Sequence, residues 1–218
     1  MPTPLIAIAD YDIGNLFNVE RALARAGGRP RILKDPSAIL KADKLVLPGV
    51  GSFESGIGAL RRDGLADAVI EFCKTGKSVL GICLGMQLLM SESEENGLHR
   101  GLGIVRGRVL RFQPPRPDGR RHRIPQISWN SLDCPPRRAE KGWAGTILDG
   151  LPEKPHMYFV HSYHVQLAED RDCVATTSYG LDTFTSVLTK ENVSGCQFHS
   201  ERSGELGLEL LRNFVRLS

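Results

Sequence analysis

Three short apolar runs, Leu5 to Ala9, Lys44 to Leu47 and Val79 to Ile82, set the strongest limit on what this chain can fold into. Each is too short for a buried helix and reads as a strand covered on both faces. Helical patterns lie between them. Leu16, Val19, Leu23 and Ala26 share one stripe, with Asn15 as the expected cap and Gly27-Gly28 as the stop. Leu65 to Cys73 is helical and Gly76 ends it, Arg31 to Leu33 supplies a further strand, and Leu84 to Met90 forms a helix directly after Ile82 and Cys83. Strands joined by helical crossovers imply a parallel sheet with helices on both faces.

The second half has a different rhythm. Val105 to Phe112, Met157 to Val165, Cys173 to Ser178, Thr183 to Leu188 and Val193 to Phe198 read as strands with few helices between them. Glu205 to Val215 closes the chain as an amphipathic helix. The expected fold is α/β, a mixed, mostly parallel sheet flanked by helices, with an antiparallel extension. A length of 218 residues suits one large domain, residues 1–218.

A formal net charge of +3 is too small to imply nucleic acid or an anionic membrane. The 5 cysteines are odd in number and widely spaced, with no C-x-x-C pair, so the expectation is free thiols in a reducing, cytoplasmic setting and no metal site. The start lacks the basic and long apolar regions of a secretory signal, and no stretch approaches a membrane span. Two loops, residues 112–125 and 134–142, are rich in Pro and Arg. Arg106, Arg108, Arg111, Arg116, Arg120, Arg121 and Arg123 crowd the first region, as a solvated loop or as a docking surface.

Gly81-Ile82-Cys83-Leu84-Gly85 has the G-x-nucleophile-x-G form of a strand-to-helix elbow, with Cys as the nucleophile. Such a turn strains the backbone and leaves no room for side chains two residues before and after. It sets the thiol at the positive end of a helix, which favours thiolate, and frees the Leu84 N–H to stabilise an oxyanion. The alternative is a buried Cys between two helix-breaking glycines. A thiolate also needs a base. Of the 6 histidines, His99 and His122 lie in polar segments and read as solvated, whereas His199 ends an apolar run. In extended chain Glu201 shares its side and can fix its tautomer, giving Cys83–His199–Glu201 the logic of a triad. The alternative is a surface His with a chance acidic neighbour. In "KLVLPGVGSFESG" a strand runs into glycines that either complete an oxyanion hole or form an ordinary turn.

"LGICLGMQLL", "LPGVGSF" and "QFHSERS", in that order, resemble the class I, triad-type glutamine amidotransferases, whose sheet is flavodoxin-like. "IADYDIGNLFNVERAL", "SESEENGLHRGLGIVRGRV", "ISWN" and "YFVHSYH" narrow the resemblance to the glutaminase-subunit family of imidazole glycerol phosphate synthase, over nearly the whole chain. The resemblance implies that Cys83 attacks the glutamine amide, His199 moves the protons and Glu201 orients His199. It places glutamine against Gln87, Glu95 and the backbone of Gly51, Ser162 and Tyr163, with the oxyanion on the N–H groups of Val50 and Leu84. It implies no cofactor. Asn15, Trp129 and Arg202 fall in segments that the family uses near its partner. The chain departs from the family where Ser200 replaces the usual Pro, where Ser128 and Asp12 replace the usual Gly, and in a longer stretch between Asn130 and His156.

The partner also follows from chemistry. Ammonia released into neutral water becomes ammonium, which has no lone pair for attack, so it must pass directly to an acceptor site. One amidotransferase domain uses the whole chain, and a second subunit is the simplest solution. The resemblance implies a (β/α)8-barrel cyclase that makes imidazole glycerol phosphate and an aminoimidazole carboxamide ribotide in histidine biosynthesis. Competing readings are a same-fold subunit feeding a sugar-amidating partner in surface-polysaccharide synthesis, a stand-alone cysteine hydrolase of the superfamily, and a binding module with a dead elbow.

Overall fold

The computed structural model describes residues 3–114 and 122–217. Its first half alternates: β1 (Leu5–Ala9), α1 (Leu16–Arg25), β2 (Arg29–Leu33), α2 (Pro36–Leu40), β3 (Lys44–Leu47), α3 (Phe53–Arg62), α4 (Leu65–Lys74), β4 (Val79–Ile82) and α5 (Leu84–Leu88). Short strands β5 (Glu92–Ser93) and β6 (His99–Arg100) lead to β7 (Gly107–Arg111) and β8 (Gln126–Ser131). Then come β9 (His156–His161), β10 (Tyr163–Leu167), β11 (Cys173–Tyr179), β12 (Asp182–Lys190), β13 (Val193–Cys196) and α6 (Gly204–Arg216).

Among the described residues 11 strands form one sheet, in the order β2-β1-β3-β4-β13-β12-β10-β7-β5-β6, with β11 also paired to β12. From β2 to β13 neighbouring strands are parallel; β13, β12, β10 and β7 then run antiparallel to one another. This is the expected α/β sheet with its antiparallel extension. A separate ribbon pairs β8 with β9.

The period-2 alternation of the buried strands builds two cores. Ala7, Ala9, Leu45, Leu47 and Val79 face Phe53, Ile57, Leu60, Val69 and Phe72 of α3 and α4. Ile6, Ile8, Val46, Leu80 and Ile82 face Val19 and Leu23 of α1 and Leu210, Leu211 and Phe214 of α6. Runs apolar at every position are therefore those buried on both faces. Among the described residues no helix is long and apolar enough to cross a membrane.

Several elements differ from the sequence reading. Met157 to Val165 is not one strand: the chain bends at Ser162, because β9 pairs with the ribbon while β10 crosses into the main sheet. The strand expected over Val193 to Phe198 stops at Cys196, and the Leu84 helix stops at Leu88. Asn15 stands at the N-cap of α1, but its side chain makes no capping bond; only its carbonyl is engaged, by Val19 N–H at 3.3 Å. Helix α3 contains Gly56, poor for helix propensity but needed for packing, since a Cβ there would lie 3.1 Å from the Leu84 side chain. Asp12, where the family commonly has Gly, adopts a positive φ of 62°. Of the Arg-rich region, Arg106 pairs with Glu169, and Arg108 pairs with Glu92 and Glu94, each at 2.7 Å; Arg116, Arg120 and Arg121 lie outside the described residues.

Phe214 is fully enclosed between α6 and the sheet. Phe214→Ala is expected to lower unfolding free energy by about 3–5 kcal/mol in urea titrations. A loss below about 1 kcal/mol would mean that α6 is not part of the main core.

Candidate active site

Three neighbouring parallel strands end at one level. Leu47 lies beside Gly81 in the β3–β4 ladder, and Ile82 beside Cys196 in the β4–β13 ladder. The segments that follow, Pro48 to Gly51, Cys83 to Leu84 and Gln197 to Glu201, therefore emerge side by side at the carboxyl edge of the sheet. That edge is where open α/β sheets hold ligands.

Cys83 occupies a strained turn, with φ 53° and ψ −110°. A Cβ on Gly85 would sit 1.7 Å from the Leu47 carbonyl oxygen, and one on Gly81 would sit 2.8 Å from the Met86 backbone. Only glycine fits at either place. The Cys83 N–H donates to the Cys196 carbonyl at 2.8 Å, and its carbonyl accepts from Gln87 N–H at 3.2 Å, which fixes the elbow on both sides. Helix α5 has 5 residues, so its field is that of a few local N–H groups rather than of a long dipole. Leu84 opens that helix, and its N–H has no acceptor within it.

His199 Nδ1 donates to Glu201 Oε1 at 2.8 Å, and both side chains are buried. The pairing was expected from extended chain, but Ser200–Arg202 is a 3-10 turn. The turn, not strand alternation, brings the carboxylate under the ring. Burial opposes the imidazolium; proximity to the Cys83 sulfur and the bond to Glu201 outweigh it and push the His199 pKa up to about 10. The Nε2 atom is buried, and no hydrogen bond joins it to Cys83 in this state.

Cys83, 6% exposed, and His199 face one cavity of about 360 Å³. Val50, Gly51, Leu84, Gln87, Glu95, Ser162 and Tyr163 line it too, so every residue expected against substrate reaches the same space. Glu95 accepts from the Phe53 N–H at 2.7 Å, tying it to the start of α3. Gln87 Nε2 donates to the Tyr163 carbonyl at 2.9 Å and to Gln197 Oε1 at 3.1 Å.

The sequence reading missed His161 and Gln197. His161 lines the cavity, donates from Nδ1 to the Tyr163 carbonyl at 2.8 Å, and is pushed by burial down to about 3, which keeps it neutral. Gln197 is fully buried, and its Nε2 faces the Cys83 sulfur at 3.8 Å. Both sit inside quoted motifs, "YFVHSYH" and "QFHSERS", yet nothing local marks them as part of the site. Of the histidines read as solvated, His99 is half-buried with an unpaired Nε2, and half-buried His122 bonds the Gln113 carbonyl at 2.9 Å. All 5 cysteines are unpaired, and no cluster of His, Cys, Asp or Glu among the described residues could hold a metal ion.

On the surface, Trp129 is 53% exposed and packs edge-on against Tyr158, with ring centres 6.0 Å apart. The Arg202 guanidinium lies 4.8 Å from the centre of the same Tyr158 ring. Trp129 and Arg202 thus meet through Tyr158, while Asn15 is exposed at the start of α1.

A thiol, an imidazole and a carboxylate meet at one cavity, and the chain belongs to the class-I glutamine amidotransferase family, whose model matches residues 7–217. Within it, the similarity runs to HisH subunits of imidazole glycerol phosphate synthase. The HisH protein of Geobacillus sp. (strain WCH70) is 43% identical over 213 residues, covering 98% of this chain and 97% of that protein. HisH 1 of Legionella pneumophila (strain Lens) is 39% identical over 212 residues, covering 97% and 99%. The fold matches PurLQS from Thermotoga maritima, with TM-score 0.70 and 19% identity over 98% of each chain. A glutamine amidotransferase from the same organism gives 0.59, at 15% identity over 94% of this chain and 81% of that one.

Two outcomes are expected. Gly85→Ala drives a methyl into the Leu47 carbonyl and destabilises the chain by about 3 kcal/mol or more, measured by urea unfolding; a change within about 0.5 kcal/mol would refute the close approach. For pH, folding raises the His199 pKa from 6.5 to about 10. Its contribution to stability is fully present below 6.5 and is lost as pH rises toward about 10. Melting temperatures should therefore fall across that window, less steeply in Glu201→Gln; equal slopes would contradict the linkage.

Proposed function

We propose that Cys83 is the nucleophile of a glutaminase reaction, with His199 as its acid–base partner and Glu201 orienting the ring. The Cys83 thiolate attacks the side-chain carbonyl carbon of glutamine, and the carbonyl electrons move onto oxygen. The N–H groups of Val50 and Leu84 receive that charge. His199 gives its Nε2 proton to the amide nitrogen as the C–N bond breaks, and ammonia leaves. Water attacks the resulting thioester and passes a proton to His199. Collapse returns the thiolate and releases glutamate.

One observation carries this reading: a thiol on a strained elbow shares its cavity with a buried imidazole bonded to a buried carboxylate. The cavity suits an amino acid, and its Glu95 carboxylate suits the substrate ammonium group. Gly51, Ser162 and Tyr163 offer main-chain groups to the rest of the substrate.

The relatives are named as subunits of imidazole glycerol phosphate synthase, which supports the transfer of ammonia to a cyclase partner. We assign that partner as a (β/α)8 barrel in a cytoplasmic heterodimer that serves histidine biosynthesis, with no nucleic acid or membrane involved. Its contact surface includes Asn15, Trp129 and Arg202. The row of exposed Trp129, half-buried Tyr158 and exposed Arg202 supports this surface, since aromatic and Arg side chains are enriched where proteins meet.

A glutamine-analogue alkylator followed by peptide mapping is expected to label Cys83; a label elsewhere overturns the site. In the assembled synthase, Glu201→Gln is expected to lower kcat about 100-fold with KM within about threefold. The isolated chain is expected to turn over slowly and to rise at least about tenfold when partner and acceptor ligand are added. High turnover that ignores both would contradict the coupling.

A further inference from the structure

Gln197 is fully buried one strand away from the elbow, and the reaction as written does not use it. Its backbone N–H is fixed to the Ser186 carbonyl at 2.9 Å, so the side chain departs from a set point at the end of β13. Its amide Nε2 lies 3.8 Å from Cys83 Sγ, and its Oε1 accepts from Gln87 Nε2 at 3.1 Å. The direction of both amides is settled by the last member of the row. The Tyr163 carbonyl, 2.9 Å from Gln87 Nε2, accepts and cannot donate. Gln87 must therefore present its NH2 group there, and its other hydrogen goes to Gln197 Oε1. That leaves only the NH2 end of Gln197 to face sulfur.

We propose that Gln197 is a positioning residue that holds the Cys83 sulfur as an anion by donating a hydrogen bond to it, with its orientation imposed by Gln87 and the Tyr163 carbonyl. This rests on the reading of Cys83 as the nucleophile. A donor aimed at sulfur stabilises thiolate over thiol, and next to a largely buried sulfur it acts more strongly than in solution. The row ends on Tyr163, whose backbone is assigned to glutamine binding, so the wall of the substrate cavity and the nucleophile share one chain of hydrogen bonds.

Gln197→Met keeps length and apolar bulk but removes the donor. The test is the rate of Cys83 alkylation by iodoacetamide as a function of pH, on the full chain, with the modified peptide mapped. The midpoint is expected to move up by about one pH unit, a tenfold loss of reactivity at any pH below it. In the assembled synthase kcat is expected to fall while KM for glutamine stays within about threefold. Gln197→Glu is a same-size second variant: it sets an acceptor against the sulfur and should move the midpoint further in the same direction. A merely structural role would lower the melting temperature and leave the midpoint in place, and that result in either folded variant overturns the proposal. Failure of the Cys83 assignment reads out separately, as wild-type label on another residue.

Discussion

The approach of the Gly85 backbone to the Leu47 carbonyl is the contact on which the site depends. It lets α5 start directly behind β3, which forces the chain leaving β4 into a turn with no slack. The strain at Cys83 follows from that geometry. So does the position of Gln87, one helical turn further on, beside the cavity. Glycines at 81, 85 and 56 each remove a side chain where backbone or helix must pass, and together they let two helices and three strand ends meet around one sulfur.

The electrostatics follow from how deep that meeting point lies. Groups buried without an opposite charge beside them lose their charge: His161 is held neutral, and the thiols of Cys73 and Cys196 are pushed up by burial. His199 goes the other way because its neighbours are an anion-forming sulfur and a carboxylate. Two buried histidines in one pocket thus end in opposite states, and the difference comes from the partner of each ring rather than from burial, which opposes charge in both.

The parallel half of the sheet was legible because β1, β3 and β4 are apolar at nearly every position and glycines sit where the chain turns. The elbow was legible for the same reason: its constraint is local and needs glycine at fixed spacing. The Ser162 break was not, since the residues on both sides are equally strand-forming and only the change of pairing partner separates β9 from β10. The His199–Glu201 pair was found through a wrong backbone, because i and i+2 meet in a tight turn as well as in a strand. His161 and Gln197 were hidden because long-range pairing, with β8 and β12 respectively, decides which way they point.

The bend at Ser162 has an evolutionary consequence. Ser162 and Tyr163 both line the cavity that holds the thiol, and the proposed reading has their main-chain groups meet the substrate. Under the proposed reading, part of glutamine selection is written in backbone, which point mutation alters only by disturbing the junction between the ribbon and the main sheet. Drift toward other amides is then slow in this enzyme.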